Sequence, residues 1–228
     1  MHPEAVALKI LPMRRIREHT SAFTLIEILV VMTLIAILVG IGVPAFTSVM
    51  EQARKTQAKN EEQQIVAAIN AFYTDYGQYP LVTADTTINK TSTPSNSNLF
   101  FTLRAVSGGV NLNNAVNTRA IVFIQPPVSK DQTNPRSGIK SSTADSTWYD
   151  PWGKPYNVMI DGNYDNSLAN PYADQPGGQF LYNGVIVWSF GKNGNLGGGP
   201  AAAGPPAFTA EGGSLNNFSG SGDVISWQ

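Results

Sequence analysis

From Ile28 to Met50 the chain has no charged side chain, a run of 23 residues. As a helix rising about 1.5 Å per residue, such a run covers the roughly 30 Å hydrocarbon core of a bilayer. The segment reads as a membrane span, and the flanking charge gives it a direction. Residues 1–22 hold Lys9, Arg14, Arg15 and Arg17 against Glu4 and Glu18, a net of +2, which leaves −3 on the rest of a chain whose total is −1. The basic side is the one that stays in the cytoplasm. A secretory signal peptide has an apolar core of about 7–15 residues closed by a small-residue cleavage site. This run is longer, and Val43-Pro44-Ala45 is a poor site, so a plain signal anchor is the stronger competing reading.

The remaining composition mainly excludes function classes. In 228 residues with 42% hydrophobic content there is room for one modest domain and a long helix. A net charge of −1 gives no basic field that would draw the chain onto nucleic acid, so no nucleic-acid partner is expected. Cysteine is absent, which removes disulfides, thiol nucleophiles and Cys-ligated zinc. Both histidines, His2 and His19, precede residue 23, so a chain trimmed there has none and loses the base of Ser-His-Asp or Cys-His catalysis.

The segment Ser21-Ala22-Phe23-Thr24-Leu25-Ile26-Glu27 places one carboxylate at the start of the apolar run. An acid costs about 2.5–3.5 kcal/mol at a membrane-helix centre and less near an end. A partner offsets that cost, and an α-amine newly exposed at Phe23 is one candidate. Ala22-Phe23-Thr24-Leu25-Ile26-Glu27 closely resembles the prepilin peptidase motif of type IV pilins and type II secretion pseudopilins. The resemblance implies cleavage between Ala22 and Phe23, N-methylation of Phe23, an assembly role for Glu27 against the N-terminus of a neighbouring subunit, and a helix-kinking role for Pro44. The family usually has Gly before the cut, where this chain has Ala22. The leader is long for the family, and either Met1 or Met13 could serve as its start.

Past Met50 the chain turns polar but keeps helix formers. Ile65, Ile69, Phe72 and Tyr76 recur at spacings of 4, 3 and 4, an apolar stripe on one face. Glu51 stands four residues before Lys55, as a solvated surface pair would. Gly77 and Pro80 end the pattern, which predicts one helix from Phe23 to about Tyr76. No a/d heptad persists over three or four repeats, which argues against a coiled-coil stalk. Val82–Asn98 reads as a loop, and Leu99–Val106 as a short helix or strand. Strands are expected at Ala120–Ile124, Pro155–Ile160, Phe180–Phe190 and Val224–Trp227. The fold class is therefore α+β, with a long N-terminal helix, transmembrane then amphipathic, against a small C-terminal antiparallel sheet. The expected divisions are a basic leader (1–22), the transmembrane and assembly half of the helix (23–50), its amphipathic half (51–80), a variable α/β region (81–147) and a C-terminal sheet region with a Gly-rich loop (148–228).

Asp150-Pro151-Trp152-Gly153-Lys154-Pro155-Tyr156, followed by Val187-Trp188-Ser189-Phe190-Gly191-Lys192-Asn193-Gly194, narrows the resemblance to the major pseudopilin of type II secretion. The likeness covers roughly 22–80 and 148–227. It implies a pilin-like fold and a structural, non-enzymatic subunit, inserted in the inner membrane with its N-terminus cytoplasmic and its C-terminal domain periplasmic. That subunit would polymerise into a periplasmic filament that drives protein export. The implied partners are prepilin peptidase, other copies of the chain, minor pseudopilins, an inner-membrane assembly platform and an outer-membrane secretin. A surface type IV pilin for adhesion, motility or DNA uptake is the alternative. A membrane-anchored extracytoplasmic enzyme is a more distant one.

The resemblance requires no cofactor, but it raises calcium in the C-terminal loop, where the family's two acids fall on Asn193 and Asp223. Loss of one carboxylate and a long insertion at about Leu196–Gly222 both weaken that site. Calcium and an ordinary Gly-rich turn stay open as readings. Asp161-Gly162-Asn163-Tyr164-Asp165-Asn166 begins like an EF-hand loop, but it lacks Gly at the sixth position and Tyr172 stands in for the closing Glu, so a hairpin turn is expected. Gly191–Gly194 lacks the phosphate-loop pattern. Asp131, Asp145, Asp150 and Asp174 have no spacing that pairs them for acid–base work. Trp148, Tyr149, Trp152 and Tyr156 read as sheet aromatics rather than a sugar or peptide platform.

Overall fold

The computed structural model describes residues 23–142, 144–194, 196, 217–219 and 221–228, with the side chains at 41, 42, 44 and 45 left out. The leader, including Ala22, and most of the Leu196–Gly222 insertion lie outside the described residues. The chain divides into two compact units, one ending at Thr47 and the other Ser48–Gln228.

Helix α1 runs Leu25–Tyr76. From Ser48 to Tyr76 it contains neither Gly nor Pro and is rich in Ala, Glu, Gln and Lys, all strong helix formers. It stops where the sequence predicts. Gly77 takes φ +71° and its N–H bonds back to the Tyr73 carbonyl at 2.7 Å, a left-handed cap that a side chain would strain. In the first unit α1 is exposed throughout the side chains described. Among the described residues no helix is long and apolar enough to cross a membrane.

The second unit is α+β. Its main sheet has four antiparallel strands in the order β1 (Thr86–Ile88), β4 (Asn157–Ile160), β7 (Val185–Ser189) and β8 (Val224–Ile225). Two further pairs flank it: β2 (Gly138–Ile139) with β3 (Trp148–Tyr149), and β5 (Leu168–Ala169) with β6 (Phe180–Leu181). Successive strand residues point to opposite faces, and β7 uses both. Val185 and Val187 sit opposite Ile160 and Val158 and join Ile65, Ile69 and Phe72 of α1, with Leu99, Phe100 and Leu103 of α2 (Asn96–Leu103), in one core. Ile186 and Trp188 face the other way, onto Leu168, Tyr172, Leu181 and Ile225. All five residues of β7 are buried.

Several expectations are corrected. Ala120–Ile124 forms no strand: its Phe123 N–H bonds to the Leu103 carbonyl at the end of α2, so the segment closes a helix rather than extending a sheet. Val82–Asn98 is not all loop, since it supplies β1 and the start of α2. Phe180–Phe190 is two strands of different sheets, broken at Tyr182–Gly184. Glu51 pairs with Arg54 at 3.6 Å, and its carboxylate accepts from the Trp152 indole at 3.0 Å. Its geometry is thus set by the sheet side of the unit rather than by Lys55.

Candidate functional site

Phe23 is exposed, and α1 begins two residues later. Thr24 is the residue before the first helical turn and Glu27 the third within it. The Glu27 N–H donates to Thr24 Oγ1 at 3.3 Å, and the Thr24 N–H donates back to Glu27 Oε2 at 3.4 Å. This reciprocal pair is a capping box, which satisfies two of the donors a helix start leaves open. The signal for it, Thr-x-x-Glu before an apolar run, lies within the residues that carry the family resemblance. The box holds the only acid of this segment within one residue of Phe23, the residue whose amine the implied cleavage would free. A carboxylate in the first turn also complements the positive end of the helix dipole.

Pro44 lies inside α1 with helical backbone on both sides. It has no N–H to give the carbonyl of Gly40. Leu25, Leu29, Met32, Leu38 and Phe46 are each more than half exposed. An apolar surface of this length on one helix is stable only when something covers it.

The two residues of the expected metal pair come from separate segments that both bond to Ser221. Asn193 donates from Nδ2 to the Ser221 carbonyl at 2.6 Å, and the Asp223 backbone N–H donates to Ser221 Oγ at 3.0 Å. Asp223 Oδ2 also accepts from the Tyr172 hydroxyl at 2.8 Å, and burial with this carboxylate raises the Tyr172 pKa well above its usual value. Among the described residues no three His, Cys, Asp or Glu side chains gather as a metal cluster. Calcium takes six to eight oxygens, so Asn193 and Asp223 could supply at most part of such a set.

The other acids hold turns. Asp161 accepts from the Tyr164 and Asn166 amides, and Asp165 from that of Ser167. Asp131 accepts from Thr133 and Asn134, Asp145 from Thr147, and Asp174 from Phe218 and Ser219. Trp148, Tyr149, Trp152 and Tyr156 are all buried, with the Trp148 and Tyr156 rings edge to face at 5.8 Å.

What sequence reading missed is a buried acid cluster under the sheet. Glu61, Glu62 and Asp150 are 5%, 0% and 0% exposed. Asp150 accepts from the Trp152 and Lys154 amides at 2.9 and 2.7 Å and from the Ser189 hydroxyl at 2.5 Å, yet burial still lifts its pKa to about 6. Glu61 accepts from the Tyr156 hydroxyl at 2.6 Å and from Gln57 at 2.7 Å, and burial raises it. Neither Glu62 oxygen meets hydrogen-bond geometry with a donor among the described residues, although the Ser189 amide and the Lys59 ammonium face it. Desolvation therefore holds Glu62 well above the carboxylate range. Asp150 and Glu61 thus tie the sheet hydroxyls of Ser189 and Tyr156 and the Trp152–Lys154 turn into the buried interior.

Residues 19–43 match the prokaryotic N-terminal methylation motif family. Over 64 residues the chain is 41% identical to type II secretion system core protein G of Pseudomonas aeruginosa, a match covering 28% of this chain and 45% of that protein. The chain thus spans less than half the length of the curated relative it matches. No solved structure matches. The family resemblance read from Ala22–Glu27 is borne out by both matches.

Proposed function

We propose that this chain is a pseudopilin: a structural subunit, cut between Ala22 and Phe23, methylated at Phe23, and polymerised into a periplasmic filament that drives type II secretion. The observation that carries the reading is the methylation-motif match over 19–43, coinciding with a helix start whose Thr24–Glu27 box fixes an acid beside Phe23. Before assembly, the apolar surface from Leu25 to Phe46 lies in the inner membrane as a single span, the N-terminus cytoplasmic and the Ser48–Gln228 unit periplasmic. In the filament, helix packing between copies replaces lipid. Prepilin peptidase, minor pseudopilins, an inner-membrane platform and an outer-membrane secretin are its partners in this reading. Its work is assembly, not catalysis.

Deletion of the gene tests the role. Export of folded proteins to the medium stops, the wild-type chain restores it, and Glu27→Ala does not. Normal export in the deletion strain, with loss of surface filaments instead, would replace this reading by that of a surface type IV pilin. Calcium at Asn193 and Asp223 belongs to the same proposal, supported by the hydrogen bonds that join both residues to Ser221. Added Ca2+ then raises the melting temperature of the wild-type chain but not of Asp223→Ala, and equal melting with Ca2+ or chelator would remove the ion from the account.

A further inference from the structure

The Ser48–Gln228 unit carries a second feature that the assembly reading does not use. A cavity of about 330 Å3 opens beside the β2–β3 pair, and four of its lining residues are the cations Lys90, Arg136, Lys140 and Lys154, with no acid among the lining. In a chain whose net charge is −1, this is a local excess of positive charge. The four come from three segments, Arg136 and Lys140 flanking β2, and each has its own contacts. The Lys90 ammonium stands 5.8 Å over the Tyr149 ring, a cation–π distance. The Arg136 stem runs along Gly153. Lys140 pairs with Asp145 at 3.4 Å. Lys154 lies across Gly194 so closely that a Cβ there would fall 2.6 Å from its ammonium nitrogen, so the glycine leaves room for the charge. Two acids accompany the group without lining the cavity: Asp145, and Asp131 near Arg136.

We propose that this cavity binds a phosphate-bearing ligand. Two observations choose that chemistry. Tyr149 and Trp152 are 6% and 8% exposed, so the walls offer no open aromatic face on which a nucleobase or sugar ring could stack. What the lining holds is one arginine, three lysines and Thr133, residue types whose donors suit a compact, multiply charged oxyanion. The volume is several times that of a phosphate ion, which leaves room for the group that the phosphate esterifies. Free phosphate and the phosphate of a lipid headgroup share this chemistry.

The test titrates the detergent-solubilised full chain by calorimetry with inorganic phosphate, glycerol 3-phosphate and glycerophosphocholine. Binding is expected for one or both of the first two, weakening as NaCl is raised because exposed charges are screened. Tighter binding of glycerol 3-phosphate assigns the site to a headgroup, and equal or tighter binding of inorganic phosphate assigns it to the free ion. Arg136→Gln/Lys154→Gln is expected to weaken binding by about tenfold or more, whereas Lys55→Gln, at a basic residue that does not line this cavity, leaves it unchanged. Tryptophan fluorescence shows whether the double variant is folded, and Lys90→Gln/Lys140→Gln offers a second variant if it is not. Absence of binding at millimolar phosphate and glycerol 3-phosphate, or equal affinity in folded double variant and wild type, would overturn the proposal.

Discussion

The two units of this chain meet the same problem, apolar surface, in opposite ways. In Ser48–Gln228 it is resolved internally, with Ile65, Ile69 and Phe72 of α1 covered by Val158, Ile160, Val185 and Val187 of the sheet. In the unit ending at Thr47 the described side chains are all exposed, so nothing among the described residues covers them. A helix can therefore be a core element over one half and an interaction surface over the other, and residue pattern separates the two. Over 48–76 the apolar positions form a stripe, whereas over 25–50 they go all round.

The largest effect expected is on assembly. Glu27→Ala should abolish filaments and the oligomer ladders obtained by cross-linking single cysteines placed in this cysteine-free chain, while tryptophan fluorescence of the second unit stays that of the wild type. Ladders that persist would break the division of labour. Next comes the core. Phe72→Ala or Trp148→Ala should destabilise the second unit by about 3–5 kcal/mol, because each removes a buried ring and leaves a cavity. Chemical denaturation measures it, and a loss below about 1 kcal/mol would mean that the seam is not the stabilising core.

The third effect is pH-linked and specific to the second unit. The folded pKa of Asp150, raised from 3.8 to about 6, means that the folded state holds a proton the unfolded chain has released. Its contribution is fully present below about pH 4 and lost as pH rises through 6, roughly 3 kcal/mol for a shift of about two units. Glu61 and Glu62 are raised too and act in the same direction. The midpoint denaturant concentration should fall between pH 4 and pH 7, and Glu62→Gln should flatten that slope. A midpoint that rises over this range would contradict the buried-acid geometry. The smallest effect is at the helix start, where Thr24→Ala should weaken the cap by about 1 kcal/mol. It should slow assembly without touching the second unit's stability.

The same contrast explains what could be read in advance. The stop of α1 was legible because Gly77 and Pro80 act locally, and the stripe was legible because three of its four residues are fully buried. The methylation-motif segment over 19–43 was legible because its pattern is linear. Glu61 and Glu62 were not, since a helix position with a carboxylate reads as the wet face until the tertiary partners, Tyr156 and Ser189, are known. Strand β1 escaped because three Thr/Ile residues in a Thr/Ser/Asn-rich stretch become an edge strand only by pairing with β4. Ala120–Ile124 has strand composition, but its neighbour is the end of α2, and a lone segment without a ladder is no strand. The cleft cations are spread over 65 positions from Lys90 to Lys154, so no local motif announces them.

In the proposed reading the chain is made as a precursor and becomes an assembling subunit at Phe23. Intact mass and N-terminal sequence of the protein taken from its native membrane, with and without active prepilin peptidase, test it most directly. The account predicts a chain starting at N-methylated Phe23 only when the peptidase is active. A chain that keeps residues 1–22 in both cases would contradict it and leave a signal-anchored domain in place of a filament subunit.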